Sequence, residues 1–169
     1  MKKKIATALF VFSVSVFGFA QSSRPALLPQ PREFQGREDI SLAQGVFISV
    51  PGRDKDDAFA ARDLADGLKE LGVSVAARAG AAHVYLLRDT SVAGKRVLSE
   101  AKQSFDQPML DEGYVLVASK RSVYVIGHTA AGVFYGAQTV KQLVSGTGGD
   151  AVLHGCVIRD WPAMKYRGV

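Results

Sequence analysis

The sequence predicts an α+β domain: one mixed β-sheet with two main helices packed on one face. Three observations point there. The stretch from Asp111 to Val144, DEGYVLVASKRSVYVIGHTAAGVFYGAQTVKQLV, reads as strand, tight turn, strand and helix. A second helix-period stripe lies between Asp54 and Leu71, with short β-branched runs on either side of it. Helices alternating with strands, together with a hairpin, imply a sheet of mixed direction with helices laid across it.

In the hairpin, Tyr114, Leu116 and Ala118 fall on one face and Val115 and Val117 on the other; Val123, Val125 and Gly127 alternate with Tyr124 and Ile126. Both faces are apolar, which places the hairpin inside the sheet rather than at its rim. The polar break Ser119 to Ser122 is short enough for a hairpin loop. Thr129 offers an N-cap hydroxyl, and Val133, Ala137, Val140 and Val144 follow at helical spacing. Gly132 and Gly136, one turn apart, suit a helix that approaches a sheet closely, against a cost of about 1 kcal/mol each relative to alanine. A membrane dimerisation motif is excluded, because Gln138, Lys141 and Gln142 share the helix.

Before the hairpin, Gln21 to Arg37 carries Pro25, Pro29 and Pro31 and reads as an extended lead-in. Gly45 to Val50 alternates as a strand that Pro51-Gly52 ends. Asp54 can cap a helix whose positive end suits Asp56 and Asp57; its buried stripe is Ala61, Leu64, Ala65, Leu68 and Leu71, and Gly72 can terminate it in the left-handed region. Short strands follow at Val73–Ala76 and His83–Leu87. Thr90 to Gln107 holds no single period and reads as a loop with one short helix. Asp106 to Leu110 is a turn. Ser145 to Asp150 is a flexible connection, and Val152 to Asp160 a final strand leading into Trp161-Pro162.

Met1 to Ala20 has the pattern of a secretory signal peptide: Lys2, Lys3 and Lys4, an apolar run from Ile5, then Gly18 and Ala20 before Gln21. The run is shorter than the roughly 20 residues of a spanning helix; a retained N-terminal anchor is the alternative. The expectation is export, to the periplasm or the medium, with no membrane attachment after cleavage. The formal charge of +5 drops to about +2 without the three leader lysines. No basic stripe is interleaved with aromatics, which argues against a nucleic-acid partner. Cys156 is the only cysteine of the 169 residues, so no internal disulfide is available. It reads as a small buried hydrophobe.

Chemistry-bearing patterns are sparse. His83, His128 and His154 have no second ligand at short spacing, so neither a metal site nor a cofactor is expected. Gly146 to Gly149 lacks the strand and lysine of a phosphate loop. No GxSxG elbow occurs. The carboxylates from Asp54 to Asp66 suit a solvated helix face. Asp111 and Glu112, read as strand neighbours, diverge and cannot act together as a paired acid and base on one bond. No catalytic residue is assigned. The large aromatics Phe59, Phe105 and Trp161 look scattered rather than grouped as a platform.

The order DEGY, hairpin, then TAAGVFYGAQTVKQL resembles the domain that precedes the catalytic barrel of β-N-acetylhexosaminidases, glycoside hydrolase family 20. Family 84, the O-GlcNAcase-like enzymes, carries a similar domain. The tail RDWPAMKYRGV, residues 159–169, resembles the point where that barrel begins. The resemblance implies three segments: a leader over 1–20, a non-catalytic domain of the fold often named zincin-like over 21–160, and over 161–169 the first strand of a truncated (β/α)8 barrel. It implies that Leu28 to Phe34 forms an opening strand near the barrel domain, with a loose linker as the alternative. It also implies that Arg167, within Tyr166-Arg167-Gly168, contacts hydroxyls of the terminal sugar. The implied partners are the catalytic barrel of the parent chain and a glycan ending in N-acetylhexosamine. The implied reaction is retaining hydrolysis assisted by the substrate's own acetamido oxygen. A barrel takes on the order of 250 residues, so its acidic residues are expected beyond Val169. A free-standing carbohydrate-binding or interaction module is the alternative; a sugar-acid hydrolase such as an α-glucuronidase is a third reading.

Overall fold

The computed structural model of the chain describes residues 25–52, 54–77 and 79–163. The expected leader, the expected barrel strand beyond Ala163 and Arg167 lie outside the described residues. In order, the elements are β1 (Glu33–Gly36), β2 (Ile40–Ser41), β3 (Val46–Ser49), α1 (Lys55–Glu70), β4 (Ala82–Arg88), α2 (Val92–Ala101), β5 (Tyr114–Ser119), β6 (Ser122–Gly127), α3 (Ala130–Gln142), β7 (Val144–Ser145), β8 (Val152–Leu153) and β9 (Cys156–Asp160). The main sheet is mixed, as expected, with strand order β1-β9-β5-β6-β4-β3. β3, β4 and β6 are parallel; β5 pairs antiparallel with β6 and β9, and β1 with β9. A small antiparallel sheet, β2-β8-β7, closes one end.

The hairpin sits at the centre because it has no polar face to give to water. Tyr114, Leu116, Ala118, Val123 and Val125 join the larger core, beneath Ala60, Leu64 and Leu68 of α1 and Val133, Ala137 and Val140 of α3. Val115 and Ile126 point the other way, into a second core with Leu87 and Val97. The two main helices therefore share one face. Val97 belongs to α2, so the short helix expected within Thr90–Gln107 covers the opposite face. Ser91 caps it, accepting from the Gly94 N–H at 3.0 Å.

Helix ends follow the local chemistry. Asp54 accepts from the N–H groups of Asp56 and Asp57 at the start of α1. At its other end the Gly72 N–H bonds Lys69 O and the Val73 N–H bonds Leu68 O, with Gly72 at φ +75°. This paired closure needs the left-handed residue that glycine supplies without strain. Thr129 caps α3 through the Gly132 N–H. α3 ends at Gln142, however, so Val144, expected on its buried stripe, lies instead in β7.

Other expectations need correction. Val73–Ala76 forms no strand, only a bridge between Val46 and Val75 at the sheet edge. The predicted strand Val152–Asp160 is broken: β8 belongs to the small sheet and β9 to the main one. The break falls at His154-Gly155, where the Gly155 N–H is turned to Asp39 Oδ1 at 3.1 Å. A Cβ on Gly155 would lie 1.9 Å from Glu38 O, so only glycine lets the chain cross there. Asp111 and Glu112 lie in a turn before β5, not on a strand. The Ser145–Asp150 connection is partly ordered as β7 and a short 3-10 turn, Gly148–Asp150.

Gly132 and Gly136 do what their spacing implied. A Cβ on Gly132 would sit 2.3 Å from Gly113 O, and one on Gly136 2.4 Å from Val125 Cγ1. Gly132→Ala should thus lower stability by about 1–3 kcal/mol despite alanine's better helix propensity. Thermal melting checks this, and a variant as stable as the parent would refute the close packing. Cys156 is fully buried, and burial, helped by the Asp39 charge, pushes its thiol up to about 12. A thiol reagent near neutral pH should leave native protein unlabelled and modify one thiol after denaturation.

Candidate functional site

One register row across the sheet gathers most of the polar side chains worth inspecting. Arg88 of β4 is opposite Gly127 of β6, Gly127 opposite Tyr114 of β5, and Tyr114 opposite Asp160 of β9. Antiparallel pairing of β5 with β9 brings the start of one strand to the end of the other, so the chain leaves the sheet beside Tyr114.

At that end Tyr114 Oη lies 2.7 Å from Thr139 Oγ1 of α3 and 3.4 Å from Asp160 Oδ2. Thr139 Oγ1 also lies 3.2 Å from Tyr135 O, so two hydroxyl protons are shared among three contacts. Asp160 Oδ1 accepts the Arg32 backbone N–H at 3.2 Å. Burial raises the Tyr114 hydroxyl above its ordinary range, keeping it neutral and able to donate. Asp160 is half-buried; desolvation raises its carboxyl, and the Arg32 and Trp161 N–H groups work against that rise. These residues line a groove of about 480 Å³. Leu27, Pro29 and Pro31 of the lead-in form one wall, Tyr135 and Gln142 of α3 another, and Trp161 the exit side.

Much of the groove's polar capacity is used by the domain itself. Gln142 accepts from the Leu28 N–H at 2.8 Å and donates to Leu28 O at 3.1 Å. Gln138 Nε2 donates to Asp63 Oδ2 at 2.6 Å, alongside Lys141 Nζ at 2.8 Å. Arg32 Nε donates to Trp161 O at 2.9 Å and Nη2 to Pro162 O at 3.4 Å. These bonds tie the lead-in, α3 and the exit of β9 together.

A second cluster centres on Arg88. Its Nε donates to Asp57 Oδ2 at 2.8 Å, Nη2 to Asp54 Oδ2 at 2.9 Å and Nη1 to His128 O at 3.2 Å. It anchors the starts of α1 and α3 to the end of β4. Asp57 was expected on a solvated face, yet its side chain is 3% exposed: the arginine compensates the desolvation that would otherwise keep it out. The two donors on its neighbours' backbones hold the Asp54 carboxyl below its ordinary range, the Asp56 N–H first.

The histidines have protein partners. His83 Nδ1 is 3.1 Å from Tyr85 Oη, His128 Nδ1 2.9 Å from Asp89 Oδ2 and His154 Nδ1 3.2 Å from Asp39 Oδ2. His154 lies between β8 and β9 rather than in a strand. Among the described residues no three His, Cys, Asp or Glu side chains gather as a metal site, and no helix is long and apolar enough to cross a membrane. The aromatics are not all scattered: Phe59 of α1, 54% exposed, stacks on Phe134 of α3 at 6.0 Å, and Tyr135 adjoins at 5.9 Å.

Residues 24–161 match the family described as glycosyl hydrolase family 20, domain 2. The chain belongs to that family. A β-hexosaminidase of Porphyromonas gingivalis (strain ATCC BAA-308 / W83) is 41% identical over 68 residues, 36% of this chain and 9% of the relative. A solved family 20 β-N-acetylglucosaminidase superposes with a TM-score of 0.55 at 27% identity, over 86% of this chain and 24% of the other. The fold is shared with CpGH84B, at a TM-score of 0.65 and 23% identity, which is matched over 86% of this chain and 24% of that one. The family 20 domain therefore spans about a quarter of the solved proteins it resembles and a tenth or less of the curated one.

Arg167, the one sugar-binding residue expected, lies outside the described residues. Sequence reasoning missed Arg32, Asp160 and the Tyr114–Thr139 pair. None carries a periodic signal; the prolines around Arg32 marked only an extended segment. Because the raised Asp160 carboxyl favours its protonated form, its contribution to stability is greatest below the ordinary carboxylate range and is lost as pH rises through the raised value. Asp160→Asn should accordingly gain on the parent in melting temperature between about pH 3 and about pH 7. A difference that stays flat across that range would rule out the buried carboxylate.

Proposed function

We propose that this chain is the leading, non-catalytic domain of an exported family 20 β-N-acetylhexosaminidase, and that its role is to pack beside a catalytic barrel and stabilise it. The observation that carries this is the groove at the exit of β9. It has the concavity of a binding site, yet Gln138, Gln142, its arginine and its half-buried carboxylate are bonded to the domain's own backbone and side chains. Such groups hold a shape; they do not attack a sugar. Membership of the domain 2 family and the partial coverage of hexosaminidase relatives support the reading.

On this reading the parent enzyme removes terminal N-acetylhexosamine from glycans. The acetamido oxygen of the substrate attacks the anomeric carbon, and an acidic pair on a later barrel strand assists it. Arg167 would contact hydroxyls of the terminal sugar from the first barrel strand. The leader would direct the protein to the periplasm or the medium.

One observation favours a second reading, a carbohydrate-binding or interaction module. The exposed Phe59 stacked on Phe134 beside Tyr135 is a small aromatic surface of the kind that sugars and proteins stack against. The two readings part in one experiment. The purified chain should not hydrolyse an aryl N-acetyl-glucosaminide above background, and calorimetry should show no heat of binding to N-acetyl-glucosamine oligomers. Turnover would overturn the accessory-domain reading, and binding that Phe59→Ala abolishes would favour the module.

A further inference from the structure

Arg32 is exposed, and an exposed arginine ordinarily adds little to stability. Here it contacts three successive residues of one segment. Its backbone N–H donates to Asp160 Oδ1, its Nε to Trp161 O and its Nη2 to Pro162 O. Its guanidinium also lies 4.8 Å from the centroid of the Trp161 ring. The two carbonyl bonds use the planar fork that lysine lacks, and the ring contact adds a cation–π attraction.

Arg32 itself is held from both sides. Before it, Leu27 is buried in the main core, Leu28 is tied to Gln142 by two hydrogen bonds, and Pro31 is buried with φ restricted by its ring. After it, β1 begins at once, with Glu33 opposite Arg159 in β9. Arg159 bonds Glu33 Oε1 at 2.7 Å and Asp106 Oδ2 at 2.5 Å. Its guanidinium lies 5.7 Å from the Trp161 ring centroid. Neither the segment carrying Arg32 nor the strand preceding Trp161 is free to pivot, so the clasp joins two fixed points. What its bonds restrict is the direction in which the backbone leaves β9.

We propose that Arg32 is a positioning residue: it clasps Asp160, Trp161 and Pro162 and sets the direction in which the polypeptide continues from this domain toward a catalytic domain. The second half of that statement rests on the accessory-domain reading above; the clasp does not.

Trp161 is the only tryptophan of the sequence, so its emission reports on the clasp directly. Arg32→Ala in the 169-residue chain should shift the emission to longer wavelength and raise the acrylamide quenching constant, with far-UV circular dichroism and the melting midpoint unchanged. Arg32→Lys, which keeps the cation near the ring but loses the fork, should fall between parent and Arg32→Ala. Arg37→Ala, just past the other end of β1 and bonded to Gln35, should match the parent. Emission and quenching unchanged in Arg32→Ala would overturn the clasp; a shift accompanied by a large fall in melting midpoint would mark Arg32 as an ordinary stabilising residue and overturn it too. In a longer chain carrying the barrel, Arg32→Ala should widen the interdomain distance distribution seen by small-angle scattering while kcat on a small aryl glycoside holds. An unchanged distribution would overturn the positioning role. The fluorescence measurement involves no catalytic domain, so failure of the clasp is distinct from failure of the accessory-domain reading, which the turnover assay tests separately.

Discussion

Everything in this domain is referred to a seam where α3 meets the sheet at Gly132 and Gly136, with no side chain of the helix between them there. Gly132 faces Gly113 O and Gly136 faces Val125 and the Tyr114 ring, at distances a Cβ could not tolerate. Dispersion and burial favour the closest approach that sterics allow, and here the limit is backbone at Gly132 and the Val125 and Tyr114 side chains at Gly136. The approach sets the height of α3 over β5 and β6. It thereby brings Thr139 within hydrogen-bonding reach of Tyr114, and Gln142 within reach of the lead-in. A helix held one side chain further out could make neither bond.

From that seam the polar architecture follows. Arg88 and Asp160 stand on the same row, separated by Gly127 and Tyr114, and each collects chain segments that arrive from different parts of the sequence. Arg88 gathers the starts of two helices; Asp160 gathers the lead-in, a strand and, through Tyr114, a helix. Charges placed this way are partly removed from water, and each has a partner that offsets the desolvation. In this family 20 domain the ionisable groups of these two clusters are committed to holding chain segments together.

The outlines were legible in the chain. The two-faced apolar hairpin demanded a central position, the Asp54 and Thr129 caps marked helix starts, and the Gly132–Gly136 spacing foretold a close contact. These features are local: each depends on residues a few positions apart. The errors arose where a distant partner decides. The run Val152 to Ile158 looks like one strand until Asp39 and Glu38 turn it at Gly155. Asp57 of α1 looks solvated until Arg88 arrives from β4 to pair with it. Phe59 looks isolated until α1 and α3 lie side by side.

By itself, then, the amino-acid order determined the class of fold, the central hairpin, the main helices with their capped ends, and a likeness to the domain preceding a hexosaminidase barrel. Periodicity and capping are short-range effects, and a chain carries them wherever its neighbours go. Only the tertiary structure decided which polar groups would meet. Arg32 lies 128 positions from Asp160, and Tyr114 lies 46 from it. No pattern along the chain signals a hydrogen bond across such a span, because its geometry is fixed by strand order and by how closely one helix can approach.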